Sequence, residues 1–336
     1  MPPKISVIIP NYNRAAIIGE TIDNMLSQTL KPHQIIVVDD GSADDSIKVV
    51  KGFGDKVILI EQKNAGPGAA RNAGLKIATG DFIQFMDSDD LASLNKLEVQ
   101  VQALIQHNAD IVLGPWLKAW MEDKTMRLEN VVLQQKPLPS THTTLQWFLT
   151  GWSMVFQQSL IRKSILIKAG GYREDIKYFE DGDLFVKLLL AGGKLIFESA
   201  SLTFYRLNDF GKLTGDGQVN TGRAHAQATF YQDIIRQSKT SKVLQDCVEL
   251  PDFRANVYNA YLDLEKSNLQ LSSEYLDLIT MAQHSKSSGK FSALYKKVQA
   301  GIKQRIHGHR WPESYQAGAL QAHQKQLITQ MGYNLI

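Results

Sequence analysis

GDFIQFMDSDD, residues 80–90, is the stretch on which the reading of this sequence turns. Phe82 to Met86 form a short apolar run of strand length that stops abruptly at Asp87, Asp89 and Asp90. A strand ending in clustered acids delivers them to the carboxyl edge of a sheet, where open α/β folds bind their ligands. Three carboxylates in four positions repel one another unless a cation shares them, and hard oxygen ligands suit Mg2+ or Mn2+. The same residues also fit an acidic turn capping a helix expected from near Ser93, since Asp and Ser are common N-caps.

Outward from this stretch, short apolar runs alternate with helical periodicity. Residues 5–9 read as a buried strand ended by Pro10 and the polar loop 11–14, and residues 16–28 carry Ile17, Ile18, Ile22, Met25 and Leu26 at helical spacing. Residues 35–38 form a second strand that stops at Asp39, Asp40, Gly41 and Ser42; 46–53 continue as helix and 57–60 as a third strand. The glycine-rich loop NAGPGAARNAG, 64–74, opens the next helix. After the acids, a helix to about His107 leads to a strand at 111–114. This rhythm predicts a mixed, mainly parallel sheet with helices on both faces. Right-handed crossovers place parallel strand ends on one edge, so Asp39 and Asp87 can converge although almost fifty positions separate them.

The second half is less regular. Residues 116–138 show no firm pattern, 144–151 read as a short helix and 158–168 as an apolar, basic segment leading into a turn at Gly170 and Gly171. In YFEDGDLFVKLLLAGG, 178–193, Leu184, Phe185, Leu188 and Leu189 mark a helix packed on the core, with Glu180 and Asp181 at its start. Acids there also suit the helix dipole without any chemistry. Strands at 195–197 and 202–205 close the pattern. Beyond about Gly222 helical patterning takes over, at 224–236, 251–265, 273–284, 291–307 and 313–331, after a glycine-rich polar linker at 215–222. The expected organisation is a domain over 1–220 and an α-helical C-terminal domain over 221–336.

The chain of 336 residues is 43% hydrophobic and 21% charged, the composition of an ordinary soluble globular protein. A net charge of +3 gives no support for nucleic-acid binding. The lone Cys247 can form no internal disulfide, so a reducing, cytoplasmic setting is expected. The opening MPPKISVIIPNYNR turns polar before a signal-peptide core could form, and no run approaches the ~20 apolar residues of a membrane span. The loop GPGAARN carries neither GxGxxG nor GxxxxGK[ST], so neither a dinucleotide nor a Walker-type site is indicated. Its free backbone N–H groups and Arg71 still suit an anion.

Taken together, VIIPNYNR at 7–14, VVDDGSADDS at 37–46, NAGPGAARNAG at 64–74, DSDD at 87–90 and GGYRED with FEDGDLFVKLLLAGG at 170–193 resemble the family 2 glycosyltransferases of the GT-A fold, a Rossmann-like nucleotide-diphospho-sugar transferase architecture. The resemblance covers about the first 210 residues. It implies a nucleotide-diphosphate sugar donor, most often a UDP-sugar, a divalent metal (Mn2+ or Mg2+), and inversion at the anomeric carbon. It further implies that Pro10, Tyr12 and Arg14 line the nucleotide pocket, that Asp39 holds the uracil ring, and that Arg71 and Ser88 lie on the donor side. Asp87 and Asp89 become the ends of a DXD motif, with Asp87 facing ribose or metal and Asp89 on the metal. Glu180 and Asp181 become the catalytic pair, with Asp181 as the base.

The chemistry asks for such groups in its own right. Breaking a sugar–phosphate bond leaves negative charge on the departing diphosphate, which a metal neutralises, and an acceptor hydroxyl needs a carboxylate to take its proton. One departure stands out: where family members often carry a metal-binding histidine after the last strand, this chain has Asn208, a weaker ligand, with Arg206 or Lys212 as alternative neighbours for phosphate. Trp152 and Ser153 fall where the family tends to place acceptor contacts, although a core tryptophan fits as well. The acid-free stretch 278–312 holds a basic amphipathic pattern that suits an anionic membrane surface and a lipid-linked saccharide acceptor; a core-packed helix with a solvated basic face fits it too. A sugar-nucleotide-binding protein without turnover and a nucleotidyltransferase are the competing readings.

Overall fold

The computed structural model describes residues 3–208, 221–266 and 318–336, with residues 273, 276, 277, 279 and 280 between the last two segments. Lys212, most of the linker at 215–222, most of the helix expected at 273–284, all of the helix expected at 291–307 and, apart from residues 279 and 280, the basic stretch 278–312 lie outside the described residues.

The first half folds as its rhythm predicts. β1 (Ile5–Asn11) sits inside a seven-stranded sheet beside β2 (Gln34–Asp39), β3 (Ile58–Glu61) and β4 (Phe82–Phe85), with β6 (Ile111–Leu113), β9 (Ser159–Arg162) and β10 (Leu195–Phe197) completing the order β10-β6-β9-β4-β1-β2-β3. All of its pairs are parallel except those of β9, which runs antiparallel between β4 and β6. The chain leaves β1 towards β2 and later returns to its other side as β4, so the crevice between the carboxyl ends of β1 and β4 is the switch point where such sheets bind ligands.

Both faces are covered. Ile5, Val7 and Ile9 of β1 join Ile18, Ile22 and Met25 of α1 (Ile18–Leu26) and Leu97, Val101 and Leu104 of α4 (Lys96–Gln106) in one buried cluster. On the other face α3 (Pro67–Ile77) rests directly on β1, because Gly74 has no side chain; a Cβ there would lie 2.5 Å from Ile8 Cγ2. Pro10 does not end β1 as expected but lies within it. Pairing with β4 stops at Ile8↔Phe85, so at Pro10 the strand has a neighbour on one side only and its missing N–H costs no ladder bond.

Residues 116–138 contain a long hairpin, β7 (Trp116–Glu122) and β8 (Thr125–Leu133), in a second, five-stranded sheet ordered β12-β8-β7-β11-β5. β5 (Leu91–Ala92) follows the acidic cluster immediately, β11 is Thr203–Arg206, and β12 (Asn334–Leu335) comes from the far end of the sequence. The chain divides into two compact units, and not by one cut near residue 220: the first comprises Met1–Pro137, Met154–Leu213 and Gln316–Ile336, the second Leu138–Ser153 and Thr214–Tyr315. The C-terminal residues return to the first unit because Leu327, Ile328 and Tyr333 bury themselves with Leu91, Leu117 and Phe204. In the second unit α5 (Thr144–Leu149), opened by a capping box of Thr143 and Gln146, is joined by α8 (Thr221–Ser238), α9 (Lys242–Val248) and α10 (Pro251–Lys266). None of the described helices is long and apolar enough to cross a membrane.

Candidate active site

Three strand ends supply the site. At the end of β2, Asp39 is fully buried and accepts from Asn11 Nδ2 at 2.8 Å, from the Ser42 N–H at 2.8 Å and from the Ser42 hydroxyl at 2.7 Å. Asn11 Oδ1, buried beside it, has no protein partner among the described residues. The loop after β1 is laced to the loop after β2: Asn13, in the left-handed region at φ 52°, donates its N–H to Ser42 Oγ, and the Arg14 N–H goes to Ser46 Oγ. Pro10 is half-buried, and Tyr12 stands 48% exposed at the rim. Next door, Asp40 accepts the N–H groups of Ala65 and Gly66, each at 2.8 Å, and the Gln62 amide at 2.7 Å. Those bonds fix the glycine-rich loop at Gly66, whose φ of 94° favours glycine, and so set where α3 begins.

α3 carries Arg71 into the interior, where it gathers three carboxylates. Its guanidinium reaches Asp87 Oδ1 at 2.8 Å, Glu180 Oε1 at 3.2 Å and Asp181 Oδ1 at 3.5 Å. Glu180, 109 positions further along the chain, and Asp181 open α7 (Glu180–Leu190), where carboxylates favour the helix dipole. The residue before them, Phe179, is left-handed at φ 63°, a conformation that costs a residue with a Cβ about 1–2 kcal/mol. Tyr172 completes the group: its hydroxyl donates to Asp181 Oδ1 at 3.0 Å, and its ring lies under the Arg71 guanidinium at 5.2 Å and edge-on to Phe85.

The electrostatics follow from this crowding. Burial alone would lower Arg71; the charges of Asp181, Asp87 and Glu180 outweigh it and hold the guanidinium well above its usual range. Withdrawal from water pushes the Asp181 carboxyl up from 3.8 to about 7, with Glu180 and Asp87 adding in the same sense while Arg71 and the Tyr172 hydroxyl oppose. Burial likewise raises the Tyr172 phenol well above its ordinary value, so it stays a donor.

The acids beyond β4 take separate roles. Asp89 faces Arg14, with Nε 3.6 Å from Oδ2. Ser88 is buried, and its carbonyl accepts the Thr21 hydroxyl at 3.1 Å. Asp90 is fully buried and structural: Oδ1 takes the Arg206 N–H at 2.8 Å and Oδ2 the Gln157 amide. Among the described residues no three His, Cys, Asp or Glu side chains form a closed metal cage. Mg2+ and Mn2+ sites that work on phosphates use one or two carboxylates and leave the remaining positions to water and phosphate oxygens. Asp87 and Asp89, two positions apart at a strand end, fit that donor set.

Residues 6–170 match the profile of Glycosyl transferase family 2. This segment is a family 2 glycosyltransferase domain. An uncharacterized glycosyltransferase of Rickettsia typhi is 32% identical over 209 residues, 62% of this chain and 65% of its own length. Another relative, the glycosyltransferase GlyA of Streptococcus pneumoniae, is 30% identical over 221 residues. The match spans 61% of this chain but 30% of that protein, so the chain covers less than two thirds of either relative. Among solved structures, residues 1–349 of S. aureus TarS in complex with UDP-GlcNAc superpose with a TM-score of 0.56 at 19% identity, over 78% of this chain and 81% of that one. The mannosyltransferase PcManGT of Pyrobaculum calidifontis, with GDP-Man and Mn2+, gives 0.54 at 18%, over 92% and 89%.

Within the glycosyltransferase fold, the residues singled out from sequence fall into distinct places. Arg71, Asp87, Glu180 and Asp181 come together. Pro10, Tyr12 and Asp39 stand at the adjoining ends of β1 and β2, and Asp89 pairs with Arg14. Asn208 is committed elsewhere, its Oδ1 accepting the Met121 N–H of β7 at 2.8 Å. Arg206 is buried and spends its donors on protein oxygens, which removes it as a surface for phosphate. Trp152 belongs to the second unit and is 2% exposed, edge-on to Phe148, so its face is closed to a sugar; Ser153 lies beside it and is exposed. The sequence did not single out Tyr172 or Asp40, and Asp90, expected to share a cation with Asp87 and Asp89, instead has both oxygens bonded within the fold. The signal for Tyr172 lay in GGYRED, an aromatic one residue ahead of two acids; Asp40 and Asp90 stood inside acid pairs with nothing to tell the ligand-facing member from the structural one.

Proposed function

We propose that the protein is an inverting glycosyltransferase moving a sugar from a nucleotide-diphosphate sugar, a UDP-sugar in the first instance, to a hydroxyl of a saccharide or lipid-linked saccharide acceptor. The observation that carries this reading is the Arg71 hub, which holds a carboxylate of the acidic strand end and two from a helix start within one guanidinium's reach. The nucleotide-sugar complexes of the structural neighbours support the donor class.

In this reading the base is Asp181. The Tyr172 hydroxyl and Arg71 both address Oδ1, which leaves Oδ2 to take the proton of the acceptor hydroxyl. As the acceptor oxygen bonds to the anomeric carbon, the sugar–phosphate bond breaks with its electron pair going to the diphosphate. Attack from the face opposite the leaving group inverts that centre, as in one-step glycosidases. A divalent cation bound by Asp89 and Asp87 would supply neutralising charge to the departing diphosphate. Glu180 holds Arg71 in register with Asp181. Asn11 and Asp39 stand ready for the base of the nucleotide, and the exposed Tyr12 ring for stacking. The domain assignment follows the two compact units, with catalysis in the first. Incubation with Mn2+ and a panel of UDP-, GDP- and TDP-sugars, measuring nucleotide release and anomeric configuration of the product, tests the proposal. Binding without release would make the chain a sugar-nucleotide-binding protein, and retention of configuration would remove the one-step mechanism.

A further inference from the structure

The C-terminal residues reach the acidic cluster by a route that the catalytic reading does not use. After residue 318 the chain is tied to the first unit at Val132, through Gly318 bonds of 3.0 and 3.1 Å, and at Gln135, whose amide donates to the Ala319 carbonyl. It then forms α11 (Ala322–Gln330) and pairs β12 with the start of β8. Between α11 and β12, Tyr333 is 4% exposed, with the Lys124 ammonium over its ring at 5.4 Å.

Its hydroxyl donates to Glu20 Oε1 on α1. The other oxygen of Glu20 accepts from Arg206 Nη2. Arg206, 2% exposed, gives Nε–H to the Asp89 carbonyl at 2.7 Å, Nη1–H to the Met121 carbonyl at 3.4 Å and its backbone N–H to Asp90 Oδ1 at 2.8 Å. A hydroxyl from the end of the sequence thus orients a carboxylate, the carboxylate orients a guanidinium, and the guanidinium grips the backbone of the acidic turn. Glu20 is a third exposed and Arg206 nearly sealed, so losing the Tyr333 donor frees Glu20 first and loosens Arg206 in turn.

We propose that Tyr333 is a positioning residue for the Asp87–Asp90 turn, acting through Glu20 and Arg206, so that the C-terminal return sets the geometry in which Asp89 binds a divalent cation. The consequence for metal binding rests on the function proposed above; the consequence for the turn does not.

Hydrogen exchange of the ligand-free full chain tests it in Tyr333→Phe, which keeps the ring, and Glu20→Gln, which keeps the shape. Bonds to charged groups being the stronger kind, each variant should speed exchange in peptides over 86–93 and 203–208 about tenfold, leaving those over 5–11 and 34–39 as in wild type. The Mn2+ concentration giving half-maximal UDP binding should rise several-fold in the same variants, while metal-free UDP affinity stays put. Unchanged exchange at the turn, an even rise across the first sheet, or an unaltered Mn2+ requirement overturns the proposal. If wild-type protein binds no UDP, the functional reading fails, and the exchange data alone decide whether Tyr333 positions the turn.

Discussion

The sharpest consequence of the Arg71 hub concerns pH. A general base works ionised, and Asp181 is raised to about 7. Measured as kcat/KM at low donor concentration, which reports groups of the free enzyme, transfer should rise with pH through that value. At pH 6 about a tenth of Asp181 is ionised and at pH 8 about nine tenths, so the rate should climb roughly tenfold between them. A carboxyl at its ordinary value would change by about one per cent over the same interval. Asp181→Asn should flatten the profile and lower transfer by ~10²–10⁴-fold.

Stability should move the other way. Because the folded-state value lies above the unfolded one, the folded protein keeps a proton from about pH 4 to 7 that the unfolded chain has released, and stability falls as pH rises through that window. Asp181→Asn removes the penalty. With its side chain 35% exposed, solvent screening cuts the full shift to about 1–2 kcal/mol of gain above pH 7. Nucleotide release at pH 6–8 and denaturant melts at pH 5 and 8 read both effects. A flat wild-type profile, or an Asn variant that is less stable yet transfers normally, would refute the assignment of Asp181 as base.

Arg71→Lys should cost donor binding and transfer together, because one ammonium cannot span Asp87, Glu180 and Asp181; calorimetry with UDP and Mn2+ plus a release assay checks it. Asp89→Ala should abolish the Mn2+-dependent part of UDP binding, read by calorimetry with and without EDTA, and unchanged affinity would remove Asp89 as a ligand. Asp40→Asn takes the charge from two backbone bonds of the glycine-rich loop and should destabilise by about 1–3 kcal/mol in urea melts. Lys96, fully enclosed by Gln84, Gln100 and the Ser159 carbonyl, is held by burial well below its usual value. The unfolded chain then binds the extra proton, so stability should rise with pH from that depressed value to about 10.5, and Lys96→Met should lose that slope in melts from pH 7 to 10.

What the sequence made legible follows from how local each signal is. Parallel strands with helical crossovers deliver their ends to one edge whatever the side chains, so Asp39 and Asp87 could be placed together from rhythm alone. Glu180 and Asp181 could be placed at a helix start because the apolar spacing of Leu184, Phe185 and Leu188 fixes where that helix begins. The β7–β8 hairpin escaped because its two-residue turn is Asp123-Lys124, both at positive φ, 46° and 62°, without the glycine that ordinarily announces such a turn. The antiparallel β9 escaped because Ser159–Arg162 holds only two apolar residues, Leu160 and Ile161, adjacent and therefore on opposite faces, so that it carries no period. Asp89 and Asp90 differ by one position and by everything around them. The side chain of one faces Arg14 and that of the other is sealed under Gln157, while Arg206 bonds both residues, at the Asp89 carbonyl and at Asp90 Oδ1. Arg206 in turn is bonded to Glu20, and Glu20 to Tyr333, which lies 313 positions from it along the chain. No local pattern encodes that chain of bonds, so the part of the site hardest to read from sequence is also the part whose mutation tests the fold and the chemistry at once.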